Sequence, residues 1–294
     1  MSANIPSLYA QQYATNIQLL LQQKDSRLKN FSNQGSHVGE QASPVDQIEK
    51  IEMQAAGARF APIGRVDAGV DRRWVLPNNY DLNQLLDSFD ELRLLTDPKS
   101  SYVANAVAAA NRQIDREIIN AFFDDAKTGK TGSSTTSFLS ANQIAATMGA
   151  ASATGLNVKK LREAKKILMS YNVDLESEQI FCAVTAKQHD DLLAEAQVVS
   201  TDFNDKPVLV EGKVMRFMGI NFIHTELLET DGSSYRRLPV WVKSGIHLGQ
   251  WGSIYTDVDQ RKDLVAHPWQ AYMKMTIGAT RLDEEKVIEI KCAE

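Results

Sequence analysis

The stretch TDPKSSYVANAVAAANRQIDREIINAFFDDA, residues 96–126, decides how the rest of the chain is read. Val103, Val107, Ala110, Ile114, Ile118, Ala121 and Phe122 recur at mostly three- or four-residue spacing, which puts one apolar stripe along a single helix. Asp97 suits the capping position, and Pro98 suits the first helical position because the donor it lacks would have been unpaired anyway. The pattern predicts a helix over 98–126, roughly 40 Å long at ~1.5 Å per residue. Helices in soluble domains average about 11–12 residues, so one this long acts as a structural axis.

The residues that follow, AKTGKTGSS, imitate a phosphate-binding loop. That motif needs a glycine five positions before its Gly-Lys-Thr, so that backbone amides can turn toward phosphate. Asp124 occupies the place, and its carboxylate would repel the ligand. The context is also inverted, since the segment follows a helix C-terminus, where the dipole favours cations. Lys127, Lys130 and Gly129 are read instead as an ordinary helix stop.

Upstream, residues 7–30 carry a helical stripe of Tyr9, Tyr13, Ile17, Leu20, Leu21 and Leu28, and NFSNQGSHVGEQASP reads as a polar linker. Residues 1–45 thus form an arm whose apolar stripe needs a partner. Between 46 and 80, IEKIEMQ and RRWVL are predicted strands around a glycine-bearing segment, together an extended two-stranded loop. It carries Arg59, Arg65, Arg72 and Arg73, and no lysine occurs from 51 through 98. YDLNQLLDSFDELRLL is predicted as a core-facing helix with Leu82, Leu85, Leu86, Phe89 and Leu92 on one face.

Downstream, NVKKLREAKKILMSYNV is predicted as a basic amphipathic helix with Val158, Leu161, Leu168 and Met169 inward. Its Lys159, Lys160, Lys165 and Lys166, with Arg162 and Glu163, read as the solvated face, contact with nucleic acid being the alternative. IFCAV is a strand, and Thr185 with Gln188 has the spacing of a capping box. From residue 207 strands dominate, among them INFIHT, LPVWV, PWQAYMKMTIGATRL and KVIEIKC. Helices early and strands late make the class α+β.

Composition sets bounds on function. The 43% hydrophobic and 23% charged fractions are ordinary for a soluble chain, no apolar run nears the ~20 residues of a membrane span, and MSANIPSLYAQQYATN has no secretory pattern. A formal net charge of -5 argues against a dedicated nucleic-acid binder. Cys182 and Cys292 are read as reduced thiols, and the histidines at 37, 189, 224, 247 and 267 show no metal-ligand spacing. No cofactor and no catalytic group is predicted; a small hydrolase using acids near Asp257 or Asp283 is the rival from another class.

The order of arm, extended loop, long helix, central α/β region and late strands resembles a tailed-bacteriophage major capsid protein of the Hong Kong 97 fold. The resemblance is clearest in RRWVLPNNYDLNQLLDSFDELRLLTDPKSSYV leading into NRQIDREIINAFF, in KPVLVEGKVMRFMGINFI, and in WVKSGIHLGQWGSIYTDVDQRKD running on to TIGATRLDEEKVIEI. It is similar to the phage coat proteins called capsid family two; an encapsulin-like cellular container shares the fold. By resemblance, residues 1–45 are the N-terminal arm, 46–80 the extended loop over a neighbour, and 81–157 a peripheral domain with the spine helix 98–126. Residues 158–238 are the axial domain, and 239–294 are C-terminal strands, mainly peripheral, completing the sheet beside the spine.

The resemblance implies self-assembly, as pentamers and hexamers, into an icosahedral virion shell around double-stranded DNA that is held without sequence-specific contact. A portal is implied, with assembly in the host cytoplasm and no membrane. In the founding member a loop lysine makes covalent links between subunits; the lysine-free stretch here implies non-covalent contacts. Forty-five residues are too few for a large cleaved assembly domain, which implies a separate scaffolding protein. Arg59, Arg65, Arg72 and Arg73 are the expected intersubunit ion-pair residues.

Overall fold

The computed structural model describes residues 22–40, 42–48, 50–53, 55, 64–86, 99–195, 198, 214–265 and 267–294. In chain order the strands begin with β1 (Asn33–Ser36), β2 (Ala42–Ile48), β3 (Val70–Val75) and β4 (Asn78–Leu86). The helix α1 (Lys99–Phe123) follows, then β5 (Ala126–Thr128), β6 (Ser134–Thr136), β7 (Gln143–Ile144), α2 (Val158–Ser170), β8 (Ile180–Val184) and α3 (Ala186–Ala194). The remainder is β9 (Arg216–Phe217), β10 (Ile220–His224), β11 (Arg236–Val242), β12 (Ile246–Gln250), β13 (Tyr255–Gln260), β14 (Trp269–Arg281) and β15 (Val287–Cys292).

The 25 residues of α1 span about 37 Å. Ala106, Ala110, Ile114, Ile118, Ala121 and Phe122 are buried, whereas Val107, expected in the stripe, is exposed and Ala106 takes its place. The expected cap at Asp97 and Pro98 lies outside the described residues. The helix ends at Phe123, before the expected limit at Ala126, which instead opens β5.

Behind α1 stands a five-stranded sheet built on β14. One edge of β14 pairs with β4, from Trp269 opposite Leu86 to Ile277 opposite Asn78. Along its other edge β13 and β12 lie end to end, both antiparallel to it, and β1 runs parallel to β12. Met273, Met275 and Ile277 bury the alternating face of β14 that its period of two predicts.

Several local expectations are overturned by this sheet. Residues 78–86 are a strand, not the start of a helix: Tyr80, Leu82 and Gln84 turn inward, while Asp81, Asn83 and Leu85 turn out. Short apolar runs fit either period, and the open edge of β14 supplies a ladder that no local helix could match. Phe89 and Leu92 lie outside the described residues. The polar linker holds β1 and the start of β2, because strands form there from backbone pairing with β12 and β3. The predicted strand at 48–54 is displaced upstream to 42–48. The expected arm helix cannot run to residue 30, since 22–28 is irregular and only Lys29–Phe31 makes a 3-10 turn; its residues before 22 lie outside the described ones.

A six-stranded sheet, in the order β7-β15-β11-β8-β10-β9, forms the second body of the core. Every residue of β8 is buried. α2 packs on β15 and β7, and α3 on β8. Val158, Leu161 and Leu168 face inward as expected. Met169, expected inward, is exposed, while Lys160 is fully buried. The capping box of α3 is formed, with the Gln188 carbonyl accepting the Thr185 N–H at 3.2 Å. β15 pairs with β11 and β7, so the last strand leaves the sheet beside α1 and only β14 and its neighbours complete it. Trp241 ties the bodies together: its ring lies 4.7 Å from that of Phe122 on α1 and 5.9 Å from Phe181 on β8. Its Nε1 donates to the carbonyl of Phe31 at 2.9 Å.

A small antiparallel sheet, β2-β3-β5-β6, makes the root of the extended hairpin.

Candidate assembly surfaces

Asp115 is fully buried on α1 and faces the segment before β1. Its carboxylate accepts the backbone N–H of Arg27 at 3.0 Å and of Leu28 at 3.1 Å, the Ser26 hydroxyl at 2.5 Å and the Gln23 amide at 2.5 Å. Carboxylates that accept backbone amides make strong, charge-assisted bonds. Higher on the helix, Asn111 Nδ2 donates to the Lys24 carbonyl at 2.9 Å, Arg112 to the Gln23 carbonyl at 3.1 Å, and Gln22 to Asn105 Oδ1 at 3.0 Å. The polar face of α1 thus stitches residues 22–28 along the helix. Nothing local in the sequence shows that a segment some 90 residues earlier supplies the partners of these positions.

At its other end α1 is closed by Arg281 from β14, whose side chain is wholly buried. Nη1 donates to the carbonyls of Phe122 at 2.8 Å and Asp124 at 3.0 Å, and Nη2 to Thr136 at 3.2 Å. A cation there satisfies the last carbonyls and opposes the negative end of the dipole. The stop expected from Lys127, Lys130 and Gly129 is replaced by this one. Lys127 lies in β5, and Gly129, at φ +82°, opens the β5–β6 turn instead of the helix cap. In that turn the Gly129 N–H donates to Asp71 at 3.0 Å and its carbonyl accepts Trp74 Nε1 at 2.7 Å.

The described arginines of the extended loop divide. Arg73 is buried, donating to Glu284 at 2.6 Å and to Gln47 at 3.1 Å, and it shares Glu284 with Arg281, 3.4 Å away. Arg72 makes a two-pronged contact with Asp46 at 2.5 and 2.8 Å on the surface. Arg65 pairs with Asp67 at 2.7 Å, both exposed. Arg59 lies outside the described residues. Beside them the hairpin bares Ile48 (73% exposed), Met53 (102%) and Val70 (72%). Ile48 and Val70 stand opposite each other in the β2–β3 ladder.

Lys160, assigned from sequence to the solvated face, donates from Nζ to the carbonyls of Thr154 at 2.8 Å, Gly155 at 2.9 Å and Lys291 at 2.9 Å. Burial holds its pKa below the usual lysine value. Cys182 and Cys292 are buried and unbridged, and burial pushes the Cys292 thiol up to about 12. The acids weighed for a hydrolase serve locally: Asp283 caps the Glu284–Lys286 turn, and Asp257 lies in β13. Among the described residues no group of three or more His, Cys, Asp and Glu could hold a metal, and no described helix is long and apolar enough to cross a membrane.

A long helix laid on a five-stranded sheet, with residues 22–28 bound along it and a β2–β3 hairpin beside it, is an architecture that solved structures share. The capsid of the cyanophage P-SCSP1u is similar at a TM-score of 0.75 and 14% identity, covering 98% of this chain and 94% of that one. The cyanophage Pam1 capsid gives 0.73 at 11% identity, covering 95% of each. The capsid of a native GTA particle gives 0.68 at 13% identity, covering 99% and 98%. The fold is therefore α+β of the Hong Kong 97 type.

The sequence profile of the family described as phage capsid protein matches residues 5–294, and the chain belongs to that family. It is a structural major capsid protein of the tailed-phage kind, whose copies associate into the icosahedral shell of a virion. No curated protein matches the sequence. Neither the encapsulin-like container nor the small hydrolase is favoured.

Proposed function

We propose that the subunit assembles as pentamers and hexamers held without covalent links, its hairpin lying over a neighbour. The exposed apolar row Ile48, Met53 and Val70 carries this reading, since an extended hairpin gains nothing from such groups unless a second copy covers them. The loop's one lysine, Lys50, is paired with Glu285 of its own chain at 2.9 Å, and no other lysine occurs through residue 98, which supports non-covalent contacts. Many weak contacts on a closed lattice reinforce one another. Residues 1–45 serve as the arm, 46–80 as the extended loop, 81–157 as the peripheral domain with its spine, 158–238 as the axial domain and 239–294 as C-terminal strands, mainly of the peripheral domain. Arg59, Arg65 and Arg72 are the candidates for intersubunit ion pairs, while Arg73 is engaged by Glu284 inside the chain. The protein acts as a container and not as an enzyme, assembling in the host cytoplasm with a separate scaffolding protein and a portal. It encloses double-stranded DNA without reading its sequence.

Purified particles examined by negative-stain microscopy and boiled in detergent test this. Closed shells that release one band near 32.7 kDa are expected; a covalent ladder, or a protein that stays monomeric with its scaffold present, overturns it. Ile48→Asp with Met53→Asp is expected to leave a folded subunit that does not assemble.

A further inference from the structure

His37 and His247 lie 210 positions apart and meet where β1 runs beside β12, their Nε2 atoms 2.8 Å apart. Past the end of β1, the His37 N–H donates to the Gln250 carbonyl at 2.9 Å, so this contact closes the ladder holding the strand that leads into the hairpin. A bond between two imidazole nitrogens needs one donor and one acceptor. It is made with one proton between the facing nitrogens and is lost with two, because two imidazolium rings present only N–H groups.

His247 is 4% exposed, and its Nδ1 is buried with no hydrogen-bond partner among the described residues. The Trp251 ring packs against His37 at 5.3 Å. A Cβ on Gly35 would lie 2.8 Å from the His247 ring, and one on Gly249 would lie 2.8 Å from the His37 ring, so both glycines are needed for the rings to fit. By register this face of the sheet carries Asn33 and Gly35 from β1, Gly249 from β12, and Gly278 and Thr280 from β14, with Val75 and Leu76 covering Gly278. None of these titrates, and the one charge bearing on His247 is that of His37.

We infer that the His37–His247 contact is an acid-labile latch, fastening the strand before the hairpin to the sheet behind the spine helix and releasing it on protonation. Burial, and then the neighbouring His37, bring the His247 pKa down from 6.5 to about 4, and burial lowers that of His37. The detached state therefore binds protons more readily than the latched one, so stability rises with pH across this window. The latch is at full strength above pH 6.5 and weakens as the pH falls toward about 4. The latch does not depend on the shell reading, since it acts within one subunit.

Hydrogen exchange of the intact protein, corrected for the intrinsic pH dependence of the chemistry, tests it. Between about pH 7.5 and about pH 5, amides of residues 33–38 are expected to lose protection about tenfold while those of β8 keep theirs. The double variant His37→Gln with His247→Gln retains hydrogen-bonding side chains that do not titrate and is expected to abolish the acid response; His37→Gln alone leaves the buried His247 to titrate and is expected to reduce the response without abolishing it. Should the double variant fail to fold, His37→Gln alone decides, because its site is only partly buried: a reduced acid response supports the latch and an unreduced one overturns it. Protection of 33–38 that ignores pH in the natural chain, or an acid response that survives in the folded double variant, overturns the inference.

Discussion

The buried carboxylate of Asp115 accepts the backbone N–H of Leu28 at 3.1 Å, and so fixes where the N-terminal segment leaves the spine helix. Three further donors from Gln23, Ser26 and Arg27 share the same two oxygens, and Leu28 is itself wholly buried. Asp115→Ala strands these donors in the interior and is expected to cost about 3 kcal/mol. Urea unfolding of the unassembled subunit reads the loss, and limited proteolysis should locate new cleavage within residues 22–32. Unchanged stability would show that water replaces the carboxylate.

Arg281 closes the spine helix and shares Glu284 with Arg73 inside the fold. Arg281→Met removes one partner of a buried charge cluster, for which about 3–5 kcal/mol is the usual cost. Arg281→Lys is expected to recover little, since a single ammonium cannot reach the carbonyls of Phe122, Asp124 and Thr136 from one position. Thermal melts of the two variants and of Glu284→Gln, completed as a double-mutant cycle, measure the coupling; additive losses would argue against a shared cluster.

Lys160 binds three carbonyls where the turn before α2 meets β15. Lys160→Met keeps the aliphatic stem but leaves those carbonyls unpaired, at an expected cost of about 2–4 kcal/mol. Lys159→Met, one position away on the exposed face, is expected to stay within about 0.5 kcal/mol. Equal effects of the two, in chemical denaturation under the same conditions, would place Lys160 in solvent after all.

A Cβ added at Gly278 on β14 would fall 2.0 Å from the backbone oxygen of Leu76, in the connection that leads from the hairpin root to β4. Gly278→Ala must displace main chain, with an expected loss of about 3 kcal/mol or more. Gly232→Ala, with nothing within 4 Å of the new atom, serves as the control and is expected to be neutral to about 0.5 kcal/mol. Soluble yield and melting temperature of the two variants compare them directly; a stable Gly278→Ala would mean that the hairpin root can shift.

What could be read without coordinates was whatever rests on neighbours in the chain. The stripe from Ala110 through Ile114, Ile118 and Phe122 defines the spine helix because a 3.6-residue period brings those side chains to one face. The capping box at Thr185 and Gln188, the buried strand IFCAV and the alternating face of β14 are local in the same sense. The ordered succession of these elements carried the family.

Tertiary structure alone decided the rest, because the partner lies far off in sequence. Residues 78–86 became a strand only through the free edge of β14, and NQGS became β1 only through β12, since backbone pairing leaves no mark on a polar stretch. Charge misleads for the same reason. Lys160 looks solvated beside Lys159 until the carbonyls of residues 154, 155 and 291 enclose it, and Arg73 looks like an interface residue until Glu284 closes on it. His37 and His247 show no motif spacing at all, yet the parallel pairing of β1 with β12 brings their rings into contact. Period and capping are properties of a few consecutive residues; the burial and pairing of a polar group depend on what the completed fold sets against it.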